Sequence, residues 1–377
     1  MPHRVLARWA PVVLLPLAAL AVPAPATAAP PVVTTVDLGT LGGVQAFPAL
    51  INTAGQVAGQ SQTAIDDYHA FFWSGGRMTD LGVAPGGTFS TATRLNDSGQ
   101  VAGYGDTATG SAGFVWKAGV RTAIAAPGIG QVRTGGINAS GTVIGVDVNS
   151  ADQRIGFLWR NGVRTDLGNL VPALINDAGV VVGTVLRSDG TYRVYRWVAG
   201  VRTDLGSLGL AGFGAPYLSD LNEHGDIAAY ATTTGTGFRA YVRRAGGTGW
   251  TPLGGLRGGN DTRVTALNEV GDAVGTSNTS TGGLPRAVYW RNGTVYALPT
   301  AGGSSSQALD VNDQGDMTGS VTRPTGTRAV IWRGGVLTDL GVNGADSSAG
   351  ALNAAGQTVG TELGDGERIR ALRWSVA

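Results

Sequence analysis

Short apolar runs alternate along the chain with one recurring turn, in which a hydrophobic residue and Asn are followed, after two more residues, by Gly. Asn opens such a turn through its side chain and Gly supplies the left-handed residue, so the pattern predicts a hairpin between two strands. The turn occurs eight times, at Asn52, Asn96, Asn138, Asn176, Asn222, Asn268, Asn312 and Asn353. The copies lie about 43 residues apart, a period typical of a four-stranded propeller blade and not of a helical repeat.

Each repeat contains four predicted strands, as the copy at residues 46–82 illustrates. Strands are expected at Ala49–Asn52, Gln56–Gln60, His69–Trp73 and Arg77–Leu81, with a variable stretch at Ser61–Tyr68 between the second and the third. The third strand carries Trp at the same place in seven copies, whereas the fifth copy has Arg243 there. Apolar residues on both faces of a strand are typical of sheets that stack on sheets.

The predicted fold is therefore all-β, a β-propeller of eight four-stranded blades. The eighth copy ends after its third strand, while the segment Thr35–Gly39 repeats the fourth-strand ending Thr79–Gly82. We expect Val32–Leu38 to pair with Leu372–Val376, which gives a one-plus-three closure that covers both sheet edges and both termini.

Three segments carry a family resemblance: Asp37–Gly43, Ala49–Gly59, and the stretch from His69-Ala70-Phe71 to Asp80-Leu81-Gly82. They resemble the HAF family of probable extracellular repeats. The resemblance covers residues 36–377, and later copies replace the His by Ala, Ile or Arg. It implies an exported, repetitive β protein and carries no agreed activity or catalytic residues.

The N-terminus has the form of an export signal. Arg4 and Arg8 form a positive region, Val12–Val22 an apolar core, and Ala26-Thr27-Ala28 a cleavage site. The apolar core contains Pro16 and is too short to span a bilayer comfortably, so we expect no membrane anchor. The predicted organisation is a signal peptide at residues 1–28 and one propeller domain at 29–377, secreted and extracellular.

Composition narrows the function further. A formal net charge of +1 gives no electrostatic footprint for nucleic acid. The absence of Cys excludes disulfides and thiol catalysis. The loop with Asp147, Asn149 and Asp152 lacks the central Gly and closing Glu of a calcium loop. We therefore expect a monomer without metal or cofactor.

Function is expected where loops vary, on the face with the second–third loops and the connections between blades. The candidate ligand-binding residues there are Phe47, Phe89, Phe213, Tyr217, Arg257 and Asp261. The aromatic members could stack on sugars or clamp an extended polymer, although aromatic residues also bury readily as core between blades.

Two functions compete on this pattern. The first is a secreted, non-enzymatic binding or scaffold propeller that recognises an extracellular polymer, glycan or protein. The alternative is a secreted propeller enzyme, a glycan hydrolase or lyase, at the mouth of the central channel. An enzyme of that kind requires converging carboxylates or a His/Tyr set, and the sequence pattern indicates neither, so the first function is expected.

Overall fold

The computed structural model describes residues 31–125, 130–149, 151–208, 214–232, 237–341 and 344–377. All regular secondary structure within these ranges is β-strand, and none of them contains a helix long and apolar enough to cross a membrane. The first sixteen strands are β1 (Val33–Asp37), β2 (Gly42–Ile51), β3 (Val57–Thr63), β4 (Tyr68–Ser74), β5 (Arg77–Asp80), β6 (Ser90–Leu95), β7 (Val101–Thr107), β8 (Gly110–Lys117), β9 (Val120–Ile124), β10 (Gly130–Ile137), β11 (Val143–Asn149), β12 (Arg154–Arg160), β13 (Val163–Gly168), β14 (Val171–Ile175), β15 (Val181–Leu186) and β16 (Tyr192–Val198). The others are β17 (Val201–Gly206), β18 (Tyr217–Leu221), β19 (Ile227–Thr232), β20 (Phe238–Arg243), β21 (Thr251–Pro252), β22 (Thr262–Leu267), β23 (Ala273–Asn278), β24 (Pro285–Arg291), β25 (Thr294–Ala297), β26 (Ser305–Val311), β27 (Met317–Arg323), β28 (Gly326–Arg333), β29 (Val336–Asp339), β30 (Ser347–Leu352), β31 (Thr358–Leu363) and β32 (Ile369–Val376).

The strands form antiparallel four-stranded meanders, numbered here 1 to 8 in chain order. Meander 1 is β2–β5, and each later meander takes the next four strands up to β26–β29, which is meander 7. Meander 8 consists of β30, β31 and β32, completed by β1. Single parallel bridges join meander 8 to meander 1, at Gln45 and Ile369, and meander 2 to meander 3, at Ser111 and Gln131. The predicted all-β architecture of four-stranded propeller sheets is confirmed.

The predicted pairing of the chain ends is also confirmed. Strand β1 runs antiparallel to β32, from Val33 opposite Val376 to Asp37 opposite Leu372. The guanidinium of Arg370 donates from Nε to Asp37 Oδ2 at 3.0 Å, which adds an ion pair between the same two strands. An edge strand that would otherwise expose unpaired backbone groups is thereby covered.

Every first strand carries a β-bulge at the same place, three residues before its turn Asn. The bulged residues are Ala49, Thr93, Gly135, Ala173, Ser219, Thr265, Leu309 and Gly350. A bulge bends its strand and re-aims the side chains that follow. The residue directly after each bulge therefore occupies one equivalent position in all eight first strands.

The turn Asn joins each meander to the next. In meander 1, Asn52 Oδ1 accepts the backbone N–H of Gln56 at 3.0 Å, which is the predicted turn. The amide Nδ2 of Asn52 donates to the carbonyl of Asn96 at 3.1 Å, and the same bond repeats from copy to copy. Asn353 completes the series by donating to the carbonyl of Asn52 at 2.9 Å. All eight Asn side chains are buried.

The core lies between the faces of successive meanders. In one cluster, Phe72 of meander 1 packs on Trp116 of meander 2 with ring centroids 4.9 Å apart. In the first copy, β2 and β3 are longer than predicted: β2 begins at Gly42, and β3 extends to Thr63 with Ser61 fully buried. The variable stretch of this copy is therefore only the turn at residues 64–67, since hydrogen bonding to β4 continues beyond the sequence pattern.

Candidate functional site

Three charged side chains occupy the position after the bulge, on the first strands of meanders 2, 5 and 7. They are Arg94, Asp220 and Asp310, which we call the axial cluster. The other five copies have apolar residues or Gly there: Leu50, Gly136, Leu174, Ala266 and Ala351. In a propeller the innermost strands surround the central channel, so we expect this position to lie near the axis.

The two carboxylates are held in the same way. Asp220 accepts the backbone N–H of Leu221 at 2.9 Å and that of Leu267 in the next meander at 2.8 Å. Asp310 accepts the N–H groups of Val311 and Leu352, both at 2.8 Å. Each carboxylate bridges two meanders and is fixed in position, while its remaining lone pairs stay available to a ligand.

Arg94 is exposed and Asp220 and Asp310 are half-buried, yet the loss of solvation caused by the surrounding protein dominates the electrostatics of the axial cluster. Burial raises the pKa of Asp310 to about 7, and the negative charge of Asp220 contributes in the same direction. Burial likewise raises the pKa of Asp220, which the charge of Arg94 opposes. Burial lowers the pKa of the Arg94 guanidinium, against the charge of Asp220. These electrostatic interactions link side chains of meanders 2, 5 and 7, whose first strands are not neighbours.

A second set of carboxylates follows the turn Asn residues and surrounds the same end of the first strands. We call these residues the acidic rim: Asp97, Asp177, Glu223, Glu269 and Asp313. Each accepts the backbone N–H of the equivalent residue in the preceding meander, as in the bond from Glu269 N–H to Asp313 at 2.9 Å. Burial raises the pKa of Glu223. The rim and the axial cluster make this end of the axis strongly electronegative.

At the opposite end of the first strands, the structure brings together two of the sequence-predicted residues. Tyr217 is 54% exposed and stacks on Tyr230 at 4.7 Å between ring centroids. Phe238 meets both rings edge-on, and the guanidinium of Arg263 lies 4.3 Å above it. Asp261 forms an ion pair with Arg263 at 3.2 Å. These residues form an aromatic cluster that the sequence predicted only through Tyr217 and Asp261.

The other predicted residues lie elsewhere. Phe47 is half-buried against Tyr68, and Phe89 against Tyr104, with ring centroids 6.3 and 6.5 Å apart. Arg257 is exposed in the segment before β22 and is not part of the aromatic cluster. Phe213 lies outside the described residues.

Sequence reasoning missed the axial cluster altogether. The available signal was a column of the repeat: the residue two positions before Asn is apolar or small in five copies and charged in three. A charged residue at a position that is otherwise apolar or small indicates a special role. The sequence does not reveal the bulge, however, and the bulge decides which way the side chains at this position are directed.

Within the described residues, neither histidine belongs to a hydrogen-bonded triad of hydroxyl, imidazole and carboxylate. His69 Nδ1 lies 2.9 Å from Asp80 and His224 Nδ1 lies 2.9 Å from Glu269, and within the described ranges neither ring hydrogen-bonds a hydroxyl. Those ranges also hold no group of three or more His, Cys, Asp or Glu residues arranged to hold a metal ion.

No family model matches the chain, and no curated protein is found to be similar to it in sequence. Solved structures place the fold among propellers that occur in peptidases. A prolyl endopeptidase matches with a TM-score of 0.55 and 12% identity, over 74% of this chain and 49% of its own. A puromycin-hydrolyzing peptidase of Mycobacterium tuberculosis matches with 0.51 and 14%, over 84% of this chain and 57% of its own. The β-propeller domain of the Trilobed protease from Pyrococcus furiosus matches with 0.50 and 13%, over 78% of this chain and 98% of its own.

These matches correct the functional expectation. The chain spans about half the length of the first two proteins, and both are peptidases. The expected non-enzymatic binding or scaffold propeller for an extracellular polymer, glycan or protein is therefore wrong. That expectation was based on loop variability, which indicates where a repeat fold tolerates change but not the chemistry that it serves.

Proposed function

We propose that this propeller is the substrate-admitting part of a peptidase system, and that its axial cluster receives the positively charged amino terminus of a polypeptide. The observation that carries the proposal is the placement of Asp220 and Asp310 at equivalent positions of two first strands, where each also binds the next meander, beside the acidic rim. The occurrence of similar propellers in two peptidases supports the choice of a polypeptide as the ligand.

The chemistry of a free amino terminus suits this end of the axis. An α-amino group has a pKa of about 7.7–8.0 and carries a positive charge at neutral pH. The acidic rim attracts such a charge from a distance. Asp220 and Asp310, each fixed by two backbone N–H groups, then provide charge-assisted hydrogen bonds of the stronger kind.

The test is a binding titration with a peptide that has no charged side chains and carries either a free or an acetylated amino terminus. We expect the free form to bind at least about tenfold more tightly, a difference of about 1.4 kcal/mol. The double variant Asp220→Asn/Asp310→Asn should lose that preference. Asp365→Asn, an exposed carboxylate in the turn before β32, is the matched control and should keep it.

Equal binding of the two peptides to the unsubstituted protein would refute the proposal.

We further infer that the eight meanders form a closed ring of eight blades around the axis. The pairing of β1 with β32 and the bond from Asn353 to Asn52 support this closure. So do the electrostatic interactions between side chains of meanders 2, 5 and 7. In a closed ring all eight Asn-to-Asn bonds are equivalent.

We also propose that residues 1–28 direct export and are removed, and that the mature protein is an extracellular monomer. The supporting pattern is the positive region, apolar core and small-residue site of the N-terminus. Amino-terminal sequencing of secreted protein should begin near Ala29, and a start before residue 20 would contradict this.

A further inference from the structure

A cavity between meanders 4 and 5 is lined by residues that differ in chemistry from those at the equivalent positions of the other repeats. It has a volume of about 410 Å³ and is lined by apolar residues of both meanders together with several cationic side chains. The apolar walls are Val180, Leu205 and Ile227, and the cationic groups that concern us are Arg196 and Arg243. No Asp or Glu lines the cavity.

Arg243 occupies the Trp position of the repeat. It lies opposite Ile227 on the second strand, just as Trp73 lies opposite Val57 in meander 1. The missing indole is replaced from the loop that follows: Trp250 Nε1 donates to the carbonyl of Leu205 at 2.9 Å. In meanders 6 and 7 that bond to the preceding meander comes from the regular Trp. The structure thus keeps the Trp contact and frees its former position for a guanidinium.

Arg196 is the second departure. The position before the Trp on the third strand is apolar or aromatic in six copies, and Arg occurs there only in meanders 4 and 8. In meander 8, Arg373 lies over the ring of Trp73 in the next meander, 4.9 Å from its centroid. For Arg196 of meander 4, the residue of the next meander at the position equivalent to Trp73 is Arg243, and both arginines line the cavity. A cation–aromatic pair has become two cations that line one cavity.

Neither guanidinium is neutralised within the described residues. Arg243 Nη2 donates to the Gly247 carbonyl at 2.8 Å, but its Nη1 is buried without a hydrogen-bond partner. No ion pair involves Arg196 in the described part of the chain, and the remaining segments contain no Asp or Glu. The nearby acid Asp226 is already engaged by Arg244 at 2.6 Å. A buried N–H without an acceptor costs free energy that a bound acceptor recovers.

We propose that this cavity binds a carboxylate joined to an apolar group, as found at the carboxyl terminus of a peptide that ends in Val, Leu or Phe. Two guanidinium groups suit a planar carboxylate, which each can hold through paired N–H donors. The apolar walls accommodate the side chain next to that carboxylate. The site is separate from the axial cluster and does not depend on the function proposed for it.

The same groove recurs between meanders 2 and 3, which provides an internal reference. It has a volume of about 550 Å³, and the equivalent residues are Val115 and Trp159. Its cationic residue Lys117 is exposed, as Arg196 is, but it does not occupy the position of either Arg196 or Arg243. Lys117→Gln is therefore a control for simple loss of surface charge.

The experiment is isothermal titration with N-acetylated peptides that end in Leu, as the free acid and as the amide. Acetylation keeps the peptides from engaging the axial cluster. The free acid should bind at least about tenfold more tightly than the amide, and Arg196→Gln and Arg243→Trp should each remove most of this difference. Lys117→Gln and Asp310→Asn should retain it. Circular dichroism of each variant verifies folding, and the acid–amide comparison on the unsubstituted protein requires no variant.

Three results would overturn the proposal. The first is equal binding of acid and amide by the unsubstituted protein. The second is unchanged discrimination in Arg243→Trp, which restores the residue of the other seven copies. The third is tighter binding of inorganic phosphate than of the free-acid peptide, which would assign the cavity to a different anion.

Discussion

At the scale of single residues, Asp310 makes the stability of the fold depend on pH. Its carboxyl is held on the axis by two backbone N–H groups, yet burial raises its pKa to about 7. In an unfolded chain the pKa is about 3.9. As the pH rises from about 4 to about 7, the unfolded state therefore loses its proton first, and the native state becomes less stable relative to it.

We predict that Asp310→Asn removes this penalty. Relative to the unsubstituted protein, the variant should gain about 2–3 kcal/mol of stability between pH 5 and pH 8, because roughly 1.5 kcal/mol of a penalty of about 4 kcal/mol is already present at pH 5. Thermal unfolding of both proteins at the two pH values measures the gain. Asp365→Asn serves as the exposed control, and a constant difference between Asp310→Asn and the unsubstituted protein at both pH values would disprove the prediction.

At the scale of elements, β1 pairs with the strand that is most distant from it in the sequence. It pairs with β32 over five positions, and Leu38, which follows it, is buried in the core between meanders 8 and 1. Without β1 the edge of β32 is unpaired, and open apolar edges promote aggregation.

Deletion of residues 29–39 should therefore lower both the melting temperature and the soluble yield. The control deletion is Ile65–Asp66 in the exposed turn between β3 and β4, which leaves the pairing of all strands in place. Differential scanning calorimetry at matched concentration compares the two. Equal melting temperatures would show that β1 does not support the fold.

At the scale of the whole molecule, the Asn-to-Asn bonds turn a series of repeats into a proposed ring. In an open array the terminal repeats fray, and a contact at the end contributes less than one in the middle. In a closed ring no seam is terminal. The bond from Asn353 to Asn52 and the bond from Asn268 to Asn312 are then equivalent.

We predict that Asn353→Ala and Asn268→Ala destabilise the protein by similar amounts, about 1–3 kcal/mol each, because both remove a buried side chain that forms hydrogen bonds. Urea unfolding curves measure the two values. A clearly smaller effect for Asn353→Ala would mean that the ring is open at that seam.

The sequence by itself determined the repeat, the four strands of each copy and the pairing of the chain ends. These features depend on local patterns: Asn and Gly at each turn, and the fourth-strand sequence at Thr35–Gly39. Such patterns act over a few residues, so they can be read without the fold.

Only the tertiary structure decided which residues meet. Arg94, Asp220 and Asp310 come from three meanders, and their electrostatic interactions join strands that are far apart in the sequence. Tyr217 and Asp261 were predicted from the sequence, but their partners Tyr230, Phe238 and Arg263 were not, since Tyr230 and Phe238 lie on the next two strands of the same sheet and Arg263 reaches Phe238 from the next meander. Likewise, Arg243 was visible as a missing Trp, but the cavity that it lines together with Arg196 depends on how two sheets stack. Contacts between distant positions are set by packing and not by the local pattern that forms each strand.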